Sequence, residues 1–475
     1  MKVLKFGGTS VGTVESLRNV KMIIDSLSEP AIVVVSALGG LTDRLIATAR
    51  AAADSSENID AEMCAMRRRH EDIILQLVPE EKQCEVSAIV SDLLSQLENI
   101  YRGVSLIGDL PEKTLDQIVS FGERMSSVIV TNILQNAEHH DSLEFIKTEK
   151  WFNRNIADRQ FTDRLIREEY PLPLKRTCVM GGFISRDRDT GEITNLGRGG
   201  SDYTAALVAA ALDADSLEIW TDVDGFMTAD PRIIPDARII PDMSYIESME
   251  LCSFGAKVIY PPTIYPVFHK NIPIKILNTF HPTAAGTRIK EFASGTLPRG
   301  VRGVSSVKNT SIVTVVGNLA DNVAEINSRT YNAMARNGIS IFLVSQPDSD
   351  EKFSVAMAES ETEKALRILR DEFAPELQSG QVASVEPSHN LAIVAVVGEA
   401  IHSESGLGAR LTNTLQREGI GVRAVSDGAS DTTIAIVVDN ANVENSLKLV
   451  HEACFPQSSN KCLKHSHYGN KERKI

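Results

Sequence analysis

"VLKFGGTSVGTVESLRNV" (residues 3–20) decides the fold of the N-terminal half. The apolar run VLKF reads as a short strand and ends on Gly7 and Gly8. Behind Thr13, a favoured N-cap residue, Val14, Leu17, Val20, Ile24 and Leu27 recur at helical spacing. The next apolar stretch, "AIVVVSALGGLTD" (residues 31–43), opens on an unbroken β-branched run, the mark of a strand covered on both faces. Two such strands with a helix between them form a β-α-β unit with glycine loops at the carboxyl ends of its strands. Open α/β sheets bind their ligands at those ends.

The pattern continues outward. Residues from about Ile59 to Gly103 read as helical and polar-faced, and a helix from about Leu115 to Gln135 carries "FGERMSS". "RTCVMGGFIS" returns to strand. "TNLGRGGSDYTAALVAAALDAD" is a glycine loop entering an alanine-rich helix, and "SLEIWTDVDG" is a strand entering a turn. "SYIESMELCSFGAKVI" reads as a helix with a lysine near its end, and "IPIKILNT" as a late strand. Near Phe292 the texture changes to "EFASGTLPRGVRGVSSVKN", rich in glycine, proline and serine, which reads as a linker. Beyond it an internal repeat sets in: two β-α-β-β-α units of equal length, opening on "TSIVTVVG" and "NLAIVAVVG". The expected division is 1–292, a linker at 293–308, repeats at 309–386 and 387–454, and a disordered tail at 455–475.

Bulk properties narrow the function. A chain of 475 residues exceeds one ordinary core, and its 43% hydrophobic and 24% charged content is that of a soluble protein. A net charge of −14 argues against general nucleic-acid binding, which needs a cationic surface. The six cysteines show no C-x-x-C spacing and read as reduced cytosolic thiols. The N-terminus meets charges and glycines at once, and no window is apolar enough to span a membrane. A cytoplasmic location is expected.

Several motifs carry chemistry. Gly7 and Gly8 leave their amides open to a phosphate, the following helix presents its positive end, and Lys5 adds a cation. The lysine precedes the glycines, so this is no Walker A loop. "LGRGGSD" sets Arg198, with its bidentate fork, among three glycines ahead of Ser201 and Asp202. N-capping would explain Ser201 or Asp202, but not the arginine. "TDVDGFMTADPR" (residues 221–232) holds three aspartates, but neither its spacing nor its closing residue matches an EF-hand, and no metal ligand set is assigned. Glu123 reads as a surface residue or, if buried, an ammonium receptor. Thr42 reads as a helix cap and Lys257 as a helix-end lysine.

Taken in order, "KFGGTS", "SFGER", "LGRGGSD", "TDVDG…TADPR" and "FGAKV" resemble aspartokinase, of the amino-acid kinase superfamily, and the two repeats resemble its tandem ACT domains. The likeness runs from Met1 to about Cys454. The linker, "MSYIESMEL" and "VSQPDSD" are most similar to the kinase half of bifunctional aspartokinase/homoserine dehydrogenases. The resemblance implies an α/β fold: a mainly parallel sheet sandwiched by helices, followed by two βαββαβ-type ACT domains. It implies ATP- and Mg²⁺-dependent phosphorylation of the L-aspartate side chain, on the route to lysine, threonine and methionine. Lys5 and Asp202 would be catalytic. Thr42, Glu123, Phe183, Arg198 and Ser201 would hold aspartate, with Arg198 on its carboxylate and Glu123 on its ammonium. Gly7, Gly8, Thr221, Asp222, Met227, Arg232, Lys257 and Val258 would join Lys5 around the nucleotide. It further implies a homo-oligomer assembled through the ACT domains, and threonine or lysine as effector.

Three departures from the family pattern stand out. Met227 occupies the place where many members carry a tyrosine beside the adenine. The first repeat has Gln346 in its effector loop, but the second has Asp427. No dehydrogenase fingerprint follows the repeats, so no dehydrogenase activity is expected. Two alternatives stay open: another amino-acid kinase, acting on glutamate or acetylglutamate, and an amino-acid-sensing ACT protein with an inactive kinase fold.

Overall fold

The computed structural model describes residues 1–54, 59–151, 154–292, 300–317, 323–345, 352–399, 401, 406–426 and 431–456. Gln346 and Asp427, and all but the first two residues of the 455–475 tail, lie outside the described residues.

The N-terminal part is built on an eight-stranded sheet. From one edge to the other its strands are Asp242–Met243, Thr287–Ile289, Ile274–Asn278, Ser216–Thr221, Lys2–Phe6, Ile32–Val35, Thr177–Gly181 and Ala137–His140. Every pairing is parallel except that of Ile274–Asn278 with Thr287–Ile289. The β-branched run at 32–35 lies near the middle, and its side chains alternate between two cores. Val33 and Val35 face the helices Val14–Asp25, Leu41–Ala53, Ile59–Leu77, Glu80–Ile107 and Glu112–Ile133, while Ile32 and Val34 face Arg159–Glu169, Gly200–Ala211 and Ile264–Phe268. This alternation explains why no polar residue interrupts the run. A small sheet of Arg154–Ala157, Lys147–Trp151, Ile184–Asp187 and Ile193–Asn195 flanks the layer.

Some elements differ from the expected ones. The helical stretch after Ile59 is two helices, broken at Val78 and Pro79, because proline lacks the N–H that an uninterrupted helix needs there. The strand read in "RTCVMGGFIS" is two strands parted at Gly182 and Phe183. The helix read through "FGAKVI" ends at Ser253, so Lys257 lies in the following loop and caps no helix. Gly255 adopts a φ of 111°, and a Cβ there would stand 2.1 Å from the Ser306 carbonyl oxygen. Only glycine fits that conformation and that approach.

The C-terminal repeats share one antiparallel six-stranded sheet, in the order Leu343–Ser345, Lys352–Ala358, Gly303–Gly317, Val382–Val397, Thr433–Asp439, Val422–Ser426. Its two long central strands belong to both repeats. Their pairing shifts register between Val307 and Thr310. On one side of that shift the helices Val323–Arg336 and Thr362–Glu372 cover Val313, Val315 and Val385. On the other, Leu407–Arg417 and Val443–Cys454 cover Val304, Val394 and Val396. The strand Gly303–Gly317 therefore begins inside the segment read as a linker. Gly303, Ser305 and Ser306 pair with Val397, Ala395 and Val394, residues far along the chain that local sequence does not reveal. The opposite face of the sheet buries Leu343, Ala356, Leu391, Ile393, Ala435 and Val437.

The repeats are tied to the N-terminal part by polar contacts. The fully buried carboxylate of Glu247 accepts from Arg302 Nε at 3.1 Å and from the Glu399 amide at 2.9 Å. Thr433 Oγ1 donates to Glu250 at 3.0 Å, and Thr228 Oγ1 meets His451 Nε2 at 3.1 Å. Among the described residues, no helix is long and apolar enough to cross a membrane.

Candidate active site

At the carboxyl ends of the central strands a cavity of about 230 Å³ is lined by Lys5, Ser36, Thr42, Glu123, Phe183, Gly197, Gly199, Gly200, Ser201 and Asp202. Lys5 reaches it from the end of the first strand. Its Nζ lies 2.5 Å from Asp202 Oδ1, with both side chains almost entirely buried. The helix Gly200–Ala211 starts at Gly199, whose side-chain-free cap leaves Ser201 and Asp202 uncommitted to capping. Thr42 is likewise no cap, since Gly40 holds that place in the helix Leu41–Ala53.

Glu123 projects from the middle of the helix Glu112–Ile133 and is 3% exposed. Its Oε1 accepts from the Ala37 amide at 3.1 Å, and its Oε2 is buried with no hydrogen-bond partner. Burial pushes its carboxyl up to about 8, against the weaker opposing pull of the Ala37 amide and the Lys5 charge. A buried carboxylate oxygen without a donor is costly and calls for a cationic or donating ligand.

The surrounding backbone is closely fitted. Phe183 holds a φ of 67°, unusual for an aromatic residue, and donates its amide to Thr204 Oγ1 at 3.0 Å. A Cβ on Gly182 would lie 2.6 Å from Ser201 Cα. Gly8 packs against the second glycine loop, where a Cβ would stand 3.2 Å from the Ala37 carbonyl oxygen. Arg69, on the helix Ile59–Leu77, joins the two loops by donating to the Gly12 and Gly39 carbonyls at 2.9 and 2.8 Å. Neither Arg69 nor Ser36 is singled out by sequence reasoning. Arg69 sits in a basic run with no glycine near it, and only the folded structure shows its guanidinium bridging the two loops.

A second cavity of about 630 Å³ shares the wall formed by Gly199 and Asp202. Arg198, Lys257, Val258 and Tyr260 line it together with Val307, Ser340, Ile341 and Phe342 of the repeats. Arg198 is exposed and lines this cavity, not the one holding Glu123 and Lys5. Thr221, Asp222, Met227 and Arg232 line neither cavity. Thr221 ends the strand beside the first, and the Gly7 amide donates to its neighbour Trp220 O at 3.1 Å, so Thr221 and Asp222 stand next to the glycine pair. Met227 bridges to Ile239, and Arg232 is 83% exposed and paired with Asp230 at 2.7 Å.

This geometry—a lysine, glycine loops and a helix start at the carboxyl end of a parallel sheet—is built to hold anionic groups. Residues 1–278 match the amino acid kinase family, and the chain belongs to that family. Residues 313–373 and 394–454 each match an ACT domain. More particularly, the chain is 31% identical to the bifunctional aspartokinase/homoserine dehydrogenase of Buchnera aphidicola over 468 residues, 96% of this chain and 56% of that protein. It is 31% identical to that of Haemophilus influenzae over 466 residues, with the same coverage. It thus spans a little over half the length of these relatives. Among solved structures, E. coli aspartokinase III in complex with aspartate and ADP (R-state) matches with a TM-score of 0.82 and 27% identity, covering 95% of this chain and 99% of that one. The same enzyme in complex with lysine and aspartate (T-state) matches with a TM-score of 0.72 and 28% identity, covering 96% and 99%.

Proposed function

We propose that the chain is an aspartate kinase, which transfers the γ-phosphoryl group of ATP to the side-chain carboxylate of L-aspartate and releases ADP and 4-phospho-L-aspartate. The unpartnered Oε2 of Glu123, facing a small cavity that also holds the Lys5–Asp202 pair, carries this reading. Glu123 takes the α-ammonium and Arg198, at the rim, takes the α-carboxylate. Thr42, Phe183 and Ser201 shape the remainder. A cavity of 230 Å³ lies below the range of drug-sized pockets and suits a small amino acid, whereas the adjoining 630 Å³ lies within it.

No general base is required, because the attacking carboxylate is already ionised at neutral pH. An oxygen of that carboxylate forms the new bond to phosphorus, and the bond to the β,γ-bridging oxygen breaks. Lys5, oriented by Asp202, offsets the charge that gathers on the transferring group. Gly8 offers its amide to the phosphates, while Gly7, whose amide is taken by Trp220 O, leaves room for their approach; Thr221, Asp222, Met227, Arg232, Lys257 and Val258 complete the nucleotide site. Of the cavity's two carboxylates, Asp202 pairs with Lys5, and Glu123 is the one assigned to the substrate ammonium. Mg²⁺ would be carried by the nucleotide phosphates, where a hard cation that dehydrates reluctantly would supply charge neutralisation.

Regulation follows the same reasoning. Phe342 and its neighbours reach the cavity that Arg198 and Lys257 line, so a shift of the repeats alters that wall. Gln346 and Asp427 directly follow the sheet's two edge strands in sequence. Threonine or lysine bound there inhibits by favouring an arrangement with a less competent wall. Exposed Val344 and Val425 on these edges favour a homo-oligomer formed through the repeats. Hydroxamate trapping of the acyl phosphate, with aspartate, glutamate and acetylglutamate as acceptors, tests the activity. Turnover with aspartate alone is expected, and turnover only with another acceptor, or none at all, refutes the reading.

A further inference from the structure

The outer strand of the large sheet, Ala137–His140, pairs in parallel with Thr177–Gly181, and Glu138 stands opposite Cys178. Glu138 and His140 are two residues apart on one strand and so share a face, which Cys178 shares across the pair. Cys178 Sγ lies 3.5 Å from Glu138 Oε1, and His140 Nε2 lies 3.4 Å from the same oxygen. The three ligand atoms lie within 4.8 Å of one another. Tetrahedral zinc with ordinary bond lengths sets its ligand atoms about 3.3–3.6 Å apart. Two separations already match, and the third needs at most about 1.3 Å of closure.

The histidine is also prepared for such a role. His140 Nδ1 lies 2.6 Å from Glu169 Oε1, and a carboxylate can only accept, so Nδ1 donates to it. In the neutral ring that this bond selects, Nε2, which is buried and makes no hydrogen bond, presents its lone pair. A carboxylate behind a histidine whose other nitrogen faces further donors is the usual outer support of a metal ligand.

We propose that Glu138, His140 and Cys178 form a zinc-class cation site, with Glu169 as its positioning residue and a solvent water as fourth ligand. Binding displaces the Cys178 thiol proton to solvent. The mixed nitrogen, sulfur and oxygen donors suit zinc and its cobalt surrogate, whereas magnesium prefers oxygen alone, so the site is separate from the nucleotide's ion. Exposed Glu138 gives an entry path. The bound ion would pin the edge strand to the strand that runs on into Gly182 and Phe183.

The test uses the full-length protein stripped with chelator and titrated with Co²⁺. One equivalent is expected to produce tetrahedral visible bands and a thiolate-to-cobalt charge-transfer band, both removed by Zn²⁺. Cys178→Ser should abolish the charge-transfer band. Glu169→Gln should keep it but weaken cobalt binding by about 10–100-fold. Cys462→Ser should leave it unchanged, which excludes the tail with Cys462, His465 and His467 as its source. Circular dichroism checks each variant, and His140→Gln, expected to weaken binding at least tenfold, decides the matter if Cys178→Ser does not fold. Absence of a thiolate band in the parent, its survival in folded Cys178→Ser, its loss in Cys462→Ser, or unchanged affinity in His140→Gln overturns the assignment.

Discussion

Glu123 makes aspartate binding depend on pH in a calculable way. Its carboxyl is pushed from the ordinary 4.5 up to about 8 by burial, so at pH 7 roughly one molecule in ten carries the charge that an ammonium needs. Binding at pH 7 must therefore expel a proton from the remaining molecules, about 0.9 per aspartate bound. Apparent affinity should rise about tenfold per pH unit from pH 6 and level off above 8. The same shift acts on stability. A folded-state value above the unfolded one means that the native protein holds this proton more tightly. The contribution is complete below about 4.5 and is lost as pH rises through 8. Isothermal titration of aspartate into the ADP-saturated protein, from pH 6 to about 8.5 in buffers of different ionisation enthalpy, measures both slope and proton release. In Glu123→Gln the slope and the proton release should vanish and affinity should fall. A flat profile in the parent, or an equal slope in Glu123→Gln, would refute the role of Glu123.

Lys5→Ala should keep its circular dichroism spectrum while kcat for acyl phosphate formation falls by about 10²–10³-fold, the loss expected when a donor to developing charge is removed. Arg198→Ala should raise KM for aspartate about tenfold or more with less change in KM for ATP, since a hydrogen bond to an ion is worth about 1.5–3 kcal/mol. Arg302→Met leaves the buried Glu247 carboxylate without its cation and should lower unfolding stability in urea by about 3–5 kcal/mol. Arg302→Met combined with Glu247→Gln should lose less than Arg302→Met alone.

The parallel sheet is legible in the sequence because its signal is local: a β-branched run, a glycine pair and a capped helix lie within a few dozen residues. The cluster of Lys5, Thr42, Glu123, Phe183, Ser201 and Asp202 is legible through motif order, and these side chains do line one cavity. Arg198 is expected in that cavity and stands at the rim of the next, because Gly199 turns the chain between it and Ser201 with a φ of 68°. Arg69 escapes notice because its hydrogen bonds reach glycine carbonyls far along the chain, and carbonyls carry no sequence signature. The segment 303–308 reads wrongly as a linker for a similar reason. Its strand character comes from pairing with Ile393 to Val397, which no local composition reports.

The shared strands have a mechanical consequence. Gly303–Gly317 and Val382–Val397 each continue from one repeat into the other, so the two repeats share a backbone bar that bends where the register shifts at Val307–Thr310, and they are not two beads on a string. Neither repeat can be cut out whole, since each cut severs a strand of the other. One end of that bar lies against the root of the loop bearing Lys257, where the Ser306 carbonyl packs so closely on Gly255 that no side chain fits between them, so a twist of the sheet would have to move that loop with it.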